Sequence, residues 1–134
     1  MEKMEESICL DTDFLVDLLR NKSDAVAWLS ENIEKSTIYT TLINIFELYY
    51  GAYKSINPEK KIGDVEKLIE RIDILNLSTN SVKEAANQLS KLEEKGNVID
   101  IKDLLIGTFA LTNGFALKTN NKKYFERIEN LKII

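Results

Sequence analysis

Four acidic side chains stand at the ends of apolar segments or inside them, where an ordinary surface charge is unexpected. Asp11 ends the run ICLD, and Glu47 lies within TLINIFELYYGAY. Asp100 and Asp103 begin the segment DIKDLLIGTFAL. Burying a carboxylate is costly unless the group is paired or binds a metal. The pattern therefore predicts one shared acidic pocket that holds a divalent cation.

The residue types that the sequence lacks exclude several kinds of catalytic site. The chain has no histidine and a single cysteine, Cys9. This composition excludes a Ser–His–Asp triad, a Cys–His pair, paired-histidine ribonuclease chemistry and histidine-based zinc sites. A catalytic metal would then be a hard cation with oxygen ligands, Mg²⁺ or Mn²⁺. Because Cys9 lies in an apolar run, we expect it to be a buried small hydrophobic residue.

Length and charge limit the number of domains and the kinds of partner that the sequence suggests. With 134 residues, 44% of them hydrophobic and 30% charged, the chain is expected to form one domain over residues 1–134. The net charge of −4 argues against a nucleic-acid partner. Residues 118–132, however, carry five Lys or Arg against two Glu, so that a phosphate-contacting rim is possible there. A solvated C-terminal face explains the same charges equally well.

Targeting signals are not apparent. No apolar run approaches the roughly 18 residues expected of a membrane span, and the initial MEKMEES is charged and has no apolar core of a signal peptide. We therefore expect a cytoplasmic protein without membrane contact.

Short apolar strands alternate with amphipathic helical patterns along the chain. Strands are predicted at residues 8–10, 37–40, 74–77, 116–118 and 132–134. Such alternation favours a mostly parallel sheet with helices on both faces. Ligands of open sheets of this kind bind beyond the carboxyl ends of the strands, where Asp11 is placed by its own strand.

Four motif blocks, taken together and in order, resemble the PIN domain, and more narrowly the VapC-type toxins of bacterial and archaeal toxin–antitoxin pairs. The blocks are DTDFLVDLLR, TLINIFELYYGA, GNVIDIKDLLIGTFAL and LKTNNKKYFERIENL. The resemblance covers nearly the whole chain. It implies a three-layer α/β/α fold with a central five-stranded, mostly parallel sheet. It also implies a metal-dependent endoribonuclease that hydrolyses RNA phosphodiester bonds, usually as a homodimer, and is inhibited by a cognate antitoxin protein.

The same resemblance assigns roles to individual residues. Asp11, Glu47 and Asp103 match the first three acids of the family, and all three are expected to bind the metal and to act in catalysis. The fourth position, often Asp, falls on Asn121, whose amide can still bind a metal or orient a water. Asp100 could supply a compensating carboxylate to the metal, although capping of the following helix explains it equally well.

Contacts with RNA are expected from the last block. Thr119 matches a hydroxyl residue that stands beside the site in the family. Lys122, Lys123 and Arg127 are the basic residues that follow it.

Three other interpretations stay open. A catalytically weak PIN fold that only binds RNA or a partner is compatible with Asn121 at the fourth position. A haloacid-dehalogenase-like phosphatase would share the strand followed by D-x-D, yet Phe14 and Leu15 stand where that family has a small residue and threonine. A phosphoacceptor receiver domain could use Lys118, but no Lys–Pro pair follows it and no acid ends a third strand.

Overall fold

Strands and helices alternate throughout the part of the chain that the computed structural model describes, residues 6–134. The first five residues of the charged segment MEKMEES lie outside it. In chain order the elements are β1 (Glu6–Leu10), α1 (Thr12–Leu19), α2 (Ser23–Asn32), β2 (Ser36–Thr41), α3 (Leu42–Tyr53), α4 (Pro58–Ile69), β3 (Asp73–Leu75), α5 (Thr79–Glu94), α6 (Ile101–Thr112), β4 (Ala116–Lys118) and α7 (Lys122–Phe125).

The strands form one parallel sheet in the order β3-β2-β1-β4. The predicted parallel sheet is thus confirmed, with four strands in place of five. The segment expected as the fifth strand, 132–134, forms an isolated parallel bridge between Leu117 and Ile133, and the N–H of Thr119 donates to the carbonyl of Ile134 at 3.4 Å. Leu117 exchanges hydrogen bonds with the carbonyl of Lys132 and the N–H of Ile134, both 2.8 Å long. Since this exchange occurs at one residue of β4, the segment continues the sheet without forming a regular ladder.

Apolar side chains cover both faces of the sheet. Along β1, Ile8 and Leu10 pack against α1, α2 and α4 on one face, whereas Cys9 packs against α5, α6 and α7 on the other. Side chains of a strand alternate between its faces, so one strand serves both layers of the core. The expected α/β/α layers are confirmed, and Cys9 is fully buried.

The carboxyl ends of three neighbouring strands are tied together. The N–H of Asp11 donates to the carbonyl of Lys118 at 2.9 Å, which extends the pairing of β1 with β4 by one residue. The hydroxyl of Thr40 in β2 donates to the carbonyl of Leu10 at 2.9 Å. Helix α3 begins directly after β2, and a single residue, Asp11, separates α1 from β1. Residues at these strand ends are therefore fixed relative to one another.

No helix within residues 6–134 is both long and apolar enough to cross a membrane.

The close approach of α6 to the C-terminal segment generates a prediction about stability. A Cβ at Gly107 would overlap the side chain of Ile128 and lie 3.3 Å from that of Leu131. Gly107→Val should lower the free energy of unfolding by about 1–3 kcal/mol, because it overfills a packed interface. The matched control is Gly51→Val on α3, where nothing lies within 4 Å of the added atom. Urea denaturation measures both variants, and an equal response of the two would contradict the packing argument.

Candidate active site

Asp11 is the most deeply placed acid of the site, with a relative exposure of 6%. It directly precedes α1, but its side chain does not cap that helix. One carboxylate oxygen accepts a hydrogen bond from the hydroxyl of Thr119 at 2.8 Å, and the other accepts from the side-chain amide of Asn44 at 3.3 Å. The carboxylate is therefore held between the end of β4 and the first turn of α3.

Asn44 is fully buried and belongs to the capping box that begins α3. The side chain of Thr41, the N-cap, accepts from the backbone N–H of Asn44 at 3.2 Å. The side-chain oxygen of Asn44 in turn accepts from the backbone N–H of Thr41 at 3.3 Å and from its hydroxyl at 2.6 Å. Two otherwise unpaired donors at the helix start are satisfied in this way. The amide nitrogen is left facing Asp11.

Glu47 lies one turn further along α3 and is half-buried. Its Oε1 accepts a hydrogen bond from the hydroxyl of Thr12 at 2.7 Å. Its Oε2 lies 3.5 Å from the ammonium of Lys102 at the start of α6. Glu47 thus connects the α1 side of the site with the α6 side.

Asp103 occupies the first turn of α6 and is half-buried. Asp100 is the N-cap of the same helix, and its Oδ1 accepts from the backbone N–H groups of Lys102 at 2.8 Å and Asp103 at 3.4 Å. Asp100 is exposed. One oxygen of Asp100 is therefore used in capping, while its charge remains close to Asp103.

Burial and neighbouring charges make Asp11 and Asp103 weaker acids than usual. Burial raises the pKa of Asp11 to about 6 against the opposing hydrogen bond from Thr119, and the charges of Asp13 and Asp103 raise it further. Burial likewise raises the pKa of Asp103 to about 6, with added contributions from Asp100 and Glu47. We call Asp11, Glu47 and Asp103 the acidic centre. Their negative charges raise one another's free energy, and a bound cation would relieve this repulsion.

The loop between β4 and α7 closes one side of the site. Asp13 accepts from the backbone N–H of Asn120 at 3.2 Å and from the side-chain amide of Asn121 at 3.0 Å. Asn121 is exposed and its amide faces Asp13 at the margin of the acidic centre. Thr119, which we expected to contact RNA, is 1% exposed and donates to Asp11. In this position its hydroxyl supports the Asp11 carboxylate, and its contact with RNA stays a prediction.

Three residues of the site were not predicted from the sequence, namely Thr12, Asp13 and Asn44. A signal for Asn44 was present, because it precedes Glu47 by three positions and so lies on the same face of α3. Thr12 and Asp13 directly follow the end of β1, where ligand sites of parallel sheets gather. Their partners, however, lie far away in the chain.

An open cleft of about 430 Å³ adjoins the acidic centre. Its lining consists of Glu47, Val98, Ile99, Asp100, Lys102, Asp103, Tyr124 and Arg127. Arg127 donates a hydrogen bond to the carbonyl of Val98. Of the basic residues expected to contact RNA, Arg127 lines the cleft, whereas Lys122 and Lys123 are exposed on α7 outside its lining. The cleft thus places cationic groups opposite carboxylates.

The donor set of the acidic centre fits a hard divalent cation in its chemistry. Within residues 6–134, no three Asp, Glu or Cys side chains are arranged as a ready-made metal site. Mg²⁺ does not require such a cage, because it usually keeps several waters and takes one or two protein carboxylates together with substrate phosphates. Asp11 and Asp103, both with raised pKa values, could supply those carboxylates, and Glu47 could supply a third.

Known proteins resemble this chain over almost its whole length. A model of the PIN domain matches residues 8–131, a span that includes the acidic centre and Asn121. The tRNA(fMet)-specific endonuclease VapC of Salmonella typhimurium is 31% identical over 124 residues, 92% of this chain and 93% of that protein. Ribonuclease VapC2 of Rickettsia felis is 32% identical over 123 residues, 91% of this chain and 92% of that protein. The crystal structure of VapBC2 from Rickettsia felis bound to a DNA fragment from their promoter has a TM-score of 0.89 at 29% identity, with 96% and 97% of the two chains covered.

The raised pKa of Asp103 predicts a pH-dependent effect of its replacement. A carboxyl whose pKa lies at about 6 in the folded state, above its ordinary 3.8, binds more protons folded than unfolded between these values. Its contribution to stability is therefore present at pH 4 and lost as the pH rises through 6. In EDTA, Asp103→Asn should raise the free energy of unfolding at pH 7.5 by about 1 kcal/mol, a value discounted for the partial exposure of the group.

Chemical denaturation of Asp103→Asn and the wild type at pH 7.5 and pH 4 measures this gain, which should vanish at the lower pH. Asp73→Asn, at an exposed carboxylate that begins β3, is the matched control and should show no such pH-dependent gain. A loss of stability at pH 7.5 would mean that Asp103 acts mainly as a first-turn acid that stabilises the dipole of α6.

Proposed function

The chain belongs to the PIN domain family, and from this premise we propose that it is a metal-dependent endoribonuclease, the toxin of a VapC-type toxin–antitoxin pair. The observation that carries the proposal is the acidic centre at the carboxyl ends of β1 and β2, open to a cleft lined by Lys102 and Arg127. The relatives named VapC that align with more than nine-tenths of this chain support it. Membership of the family also removes the phosphatase and receiver-domain interpretations.

Hydrolysis of a phosphodiester needs an activated water and neutralisation of the phosphate charge. A divalent ion, Mg²⁺ or Mn²⁺, supplies both when bound. Asp11, Glu47 and Asp103 would hold it, with Asp100 and Asn121 at the margin. Thr119 and Asn44 keep the Asp11 carboxylate in one orientation.

RNA would enter along the cleft. Arg127 and Lys102 line it and would contact phosphates, while Lys122 and Lys123 on α7 would extend the contact beyond it. Phosphate contacts of this kind provide affinity without sequence preference. We also propose a cognate antitoxin as the protein partner, assembly as a homodimer and action in the cytoplasm. The relatives solved as VapBC complexes support the antitoxin.

One alternative function is favoured by a specific residue. Asn121 stands where the family often has a fourth acid, so the centre has one negative charge fewer. A catalytically weak PIN fold that binds RNA or a partner without cutting would follow if that charge were indispensable. Cleavage measurements separate the two functions.

The metal-nuclease proposal predicts that the acidic centre is required for cleavage and not for RNA binding. Asp103→Asn should reduce the rate of RNA cleavage by more than about 100-fold, since it removes a direct ligand and not only an outer hydrogen-bond partner. EDTA should abolish cleavage by the wild type, and Mn²⁺ should restore the wild type but not the variant. Single-turnover cleavage of a labelled RNA measures the rate, and its binding is followed in parallel by fluorescence anisotropy.

Asp73→Asn is the control here as well, and should cleave at the wild-type rate. Undiminished cleavage in EDTA or by Asp103→Asn would indicate a contaminating nuclease or a different mechanism. RNA binding by the wild type without metal-dependent cleavage would support the catalytically weak alternative.

Basic residues should govern RNA affinity through salt-dependent phosphate contacts. Arg127→Gln should weaken binding and reduce the slope of log affinity against log salt by about 1, and Lys122→Gln and Lys123→Gln should have smaller effects of the same kind. Lys35→Gln is the control, because Lys35 is exposed and precedes β2, at the end of the sheet opposite the site. Anisotropy titrations at several salt concentrations measure the slopes. An unchanged slope for all three variants would place the RNA elsewhere.

A further inference from the structure

We propose that Thr12 is a positioning residue that holds Glu47 in its metal-binding orientation, and that Asn44 sets the direction of the hydrogen bond by which it does so. The inference rests on the proposed function, since it assigns a role within that metal site. It follows from a chain of hydrogen bonds that links Asp11 and Glu47 through one buried amide.

The orientation of the Asn44 amide is determined by its neighbours. Its side-chain oxygen accepts from the backbone N–H of Thr41, a group that can only donate. The oxygen must therefore face Thr41, and the amide nitrogen must face the opposite way. That nitrogen has two hydrogens and donates one to Asp11 at 3.3 Å and the other to the hydroxyl of Thr12 at 2.9 Å. All hydrogen-bonding positions of the amide are then used.

The direction of the next hydrogen bond follows from this arrangement. Because the Thr12 oxygen accepts from Asn44, its single proton is free for another acceptor. Oε1 of Glu47 lies 2.7 Å away and is the carboxylate oxygen that accepts this proton. Thr12 thus donates to Glu47. A single amide, fully buried and part of the α3 cap, fixes the relative placement of two acids that come from different elements.

The other partner of Glu47 cannot replace this contact. Lys102 approaches Oε2 at 3.5 Å, but the side chains of Lys102 and Glu47 are 51% and 25% exposed. An ion pair of this kind contributes little and does not fix one geometry. Without the Thr12 hydroxyl, the Glu47 carboxylate would keep only the contact with the exposed Lys102 and would no longer be held in one orientation. Loss of the hydroxyl should therefore weaken metal binding even though Thr12 is not itself a ligand.

The test uses the full chain and Mn²⁺ as the probe, measured by calorimetry without RNA. Thr12→Val should lower Mn²⁺ affinity about 10–100-fold, the range typical of losing a group that orients a metal ligand. Thr12→Ser keeps the hydroxyl and should restore affinity to near the wild-type value. Thr108→Val is the matched control, because Thr108 is fully buried on α6 and its hydroxyl donates to the carbonyl of Leu104, within its own helix.

A double-variant cycle shows whether the effect passes through Glu47. In the Glu47→Gln background, Thr12→Val should cause no further loss of Mn²⁺ affinity, since its carboxylate partner is already absent. If Thr12→Val does not fold, Thr12→Ala removes the same hydroxyl with less bulk and gives the same measurement. In single-turnover cleavage at fixed Mn²⁺, Thr12→Val should have a lower maximal rate than the wild type and an unchanged affinity for RNA.

The outcomes separate this inference from the proposed function. Wild-type affinity for Mn²⁺ in Thr12→Val, or an equal loss in Thr108→Val, overturns the positioning role alone. A wild-type protein that binds Mn²⁺ but does not cleave RNA overturns the proposed function, while the Mn²⁺ measurements still decide the role of Thr12. A wild-type protein that binds no Mn²⁺ overturns both.

Discussion

The burial of the Asp11 carboxylate is the constraint on which the rest of the site depends. The backbone of Asp11 is fixed by its hydrogen bond to Lys118, so its side chain points into the space between the ends of β1, β2 and β4. An unpaired charge there would be very costly. The structure therefore needs two donors at that point, and it provides the hydroxyl of Thr119 and the amide of Asn44. These two contacts determine where β4 must end and where α3 must begin.

Even with both donors, Asp11 remains a weaker acid than usual, and so does Asp103. The surrounding residues offset the repulsion between these carboxylates only in part. Asp100 contributes a cap to α6 while adding negative charge, and Lys102 offsets some of that charge from an exposed position. Keeping several carboxylates together thus lowers the stability of the protein at neutral pH, a cost that is characteristic of functional sites and less so of structural ones.

Much of this arrangement could be predicted from local sequence, since apolar periodicity revealed the alternating elements and the strand-end position of Asp11. The contacts that complete the site could not. Thr119 meets Asp11 across 108 residues of sequence and Asn44 meets it across 33, so both depend on strand order, which no local pattern specifies. Asn44 did not stand out as a helix cap, because a capping box normally carries Glu or Gln at that position. The burial of Thr119 could not be foreseen either, because it too depends on β4 lying beside β1 in the sheet.

The site therefore has an inner half and an outer half with different physical character. In the inner half, Asp11, Asn44 and Thr119 are buried, and no buried side-chain polar atom in the described part of the chain lacks a partner. Such a saturated network holds reacting groups in place without reorganisation during the reaction. In the outer half, Lys102, Tyr124 and Arg127 are exposed around the cleft and can adapt to a bound strand. Under the proposed function, the inner residues would hold the reacting groups and the outer residues would bind the RNA backbone, so that changes around the cleft would alter RNA affinity while the acidic centre stays the same.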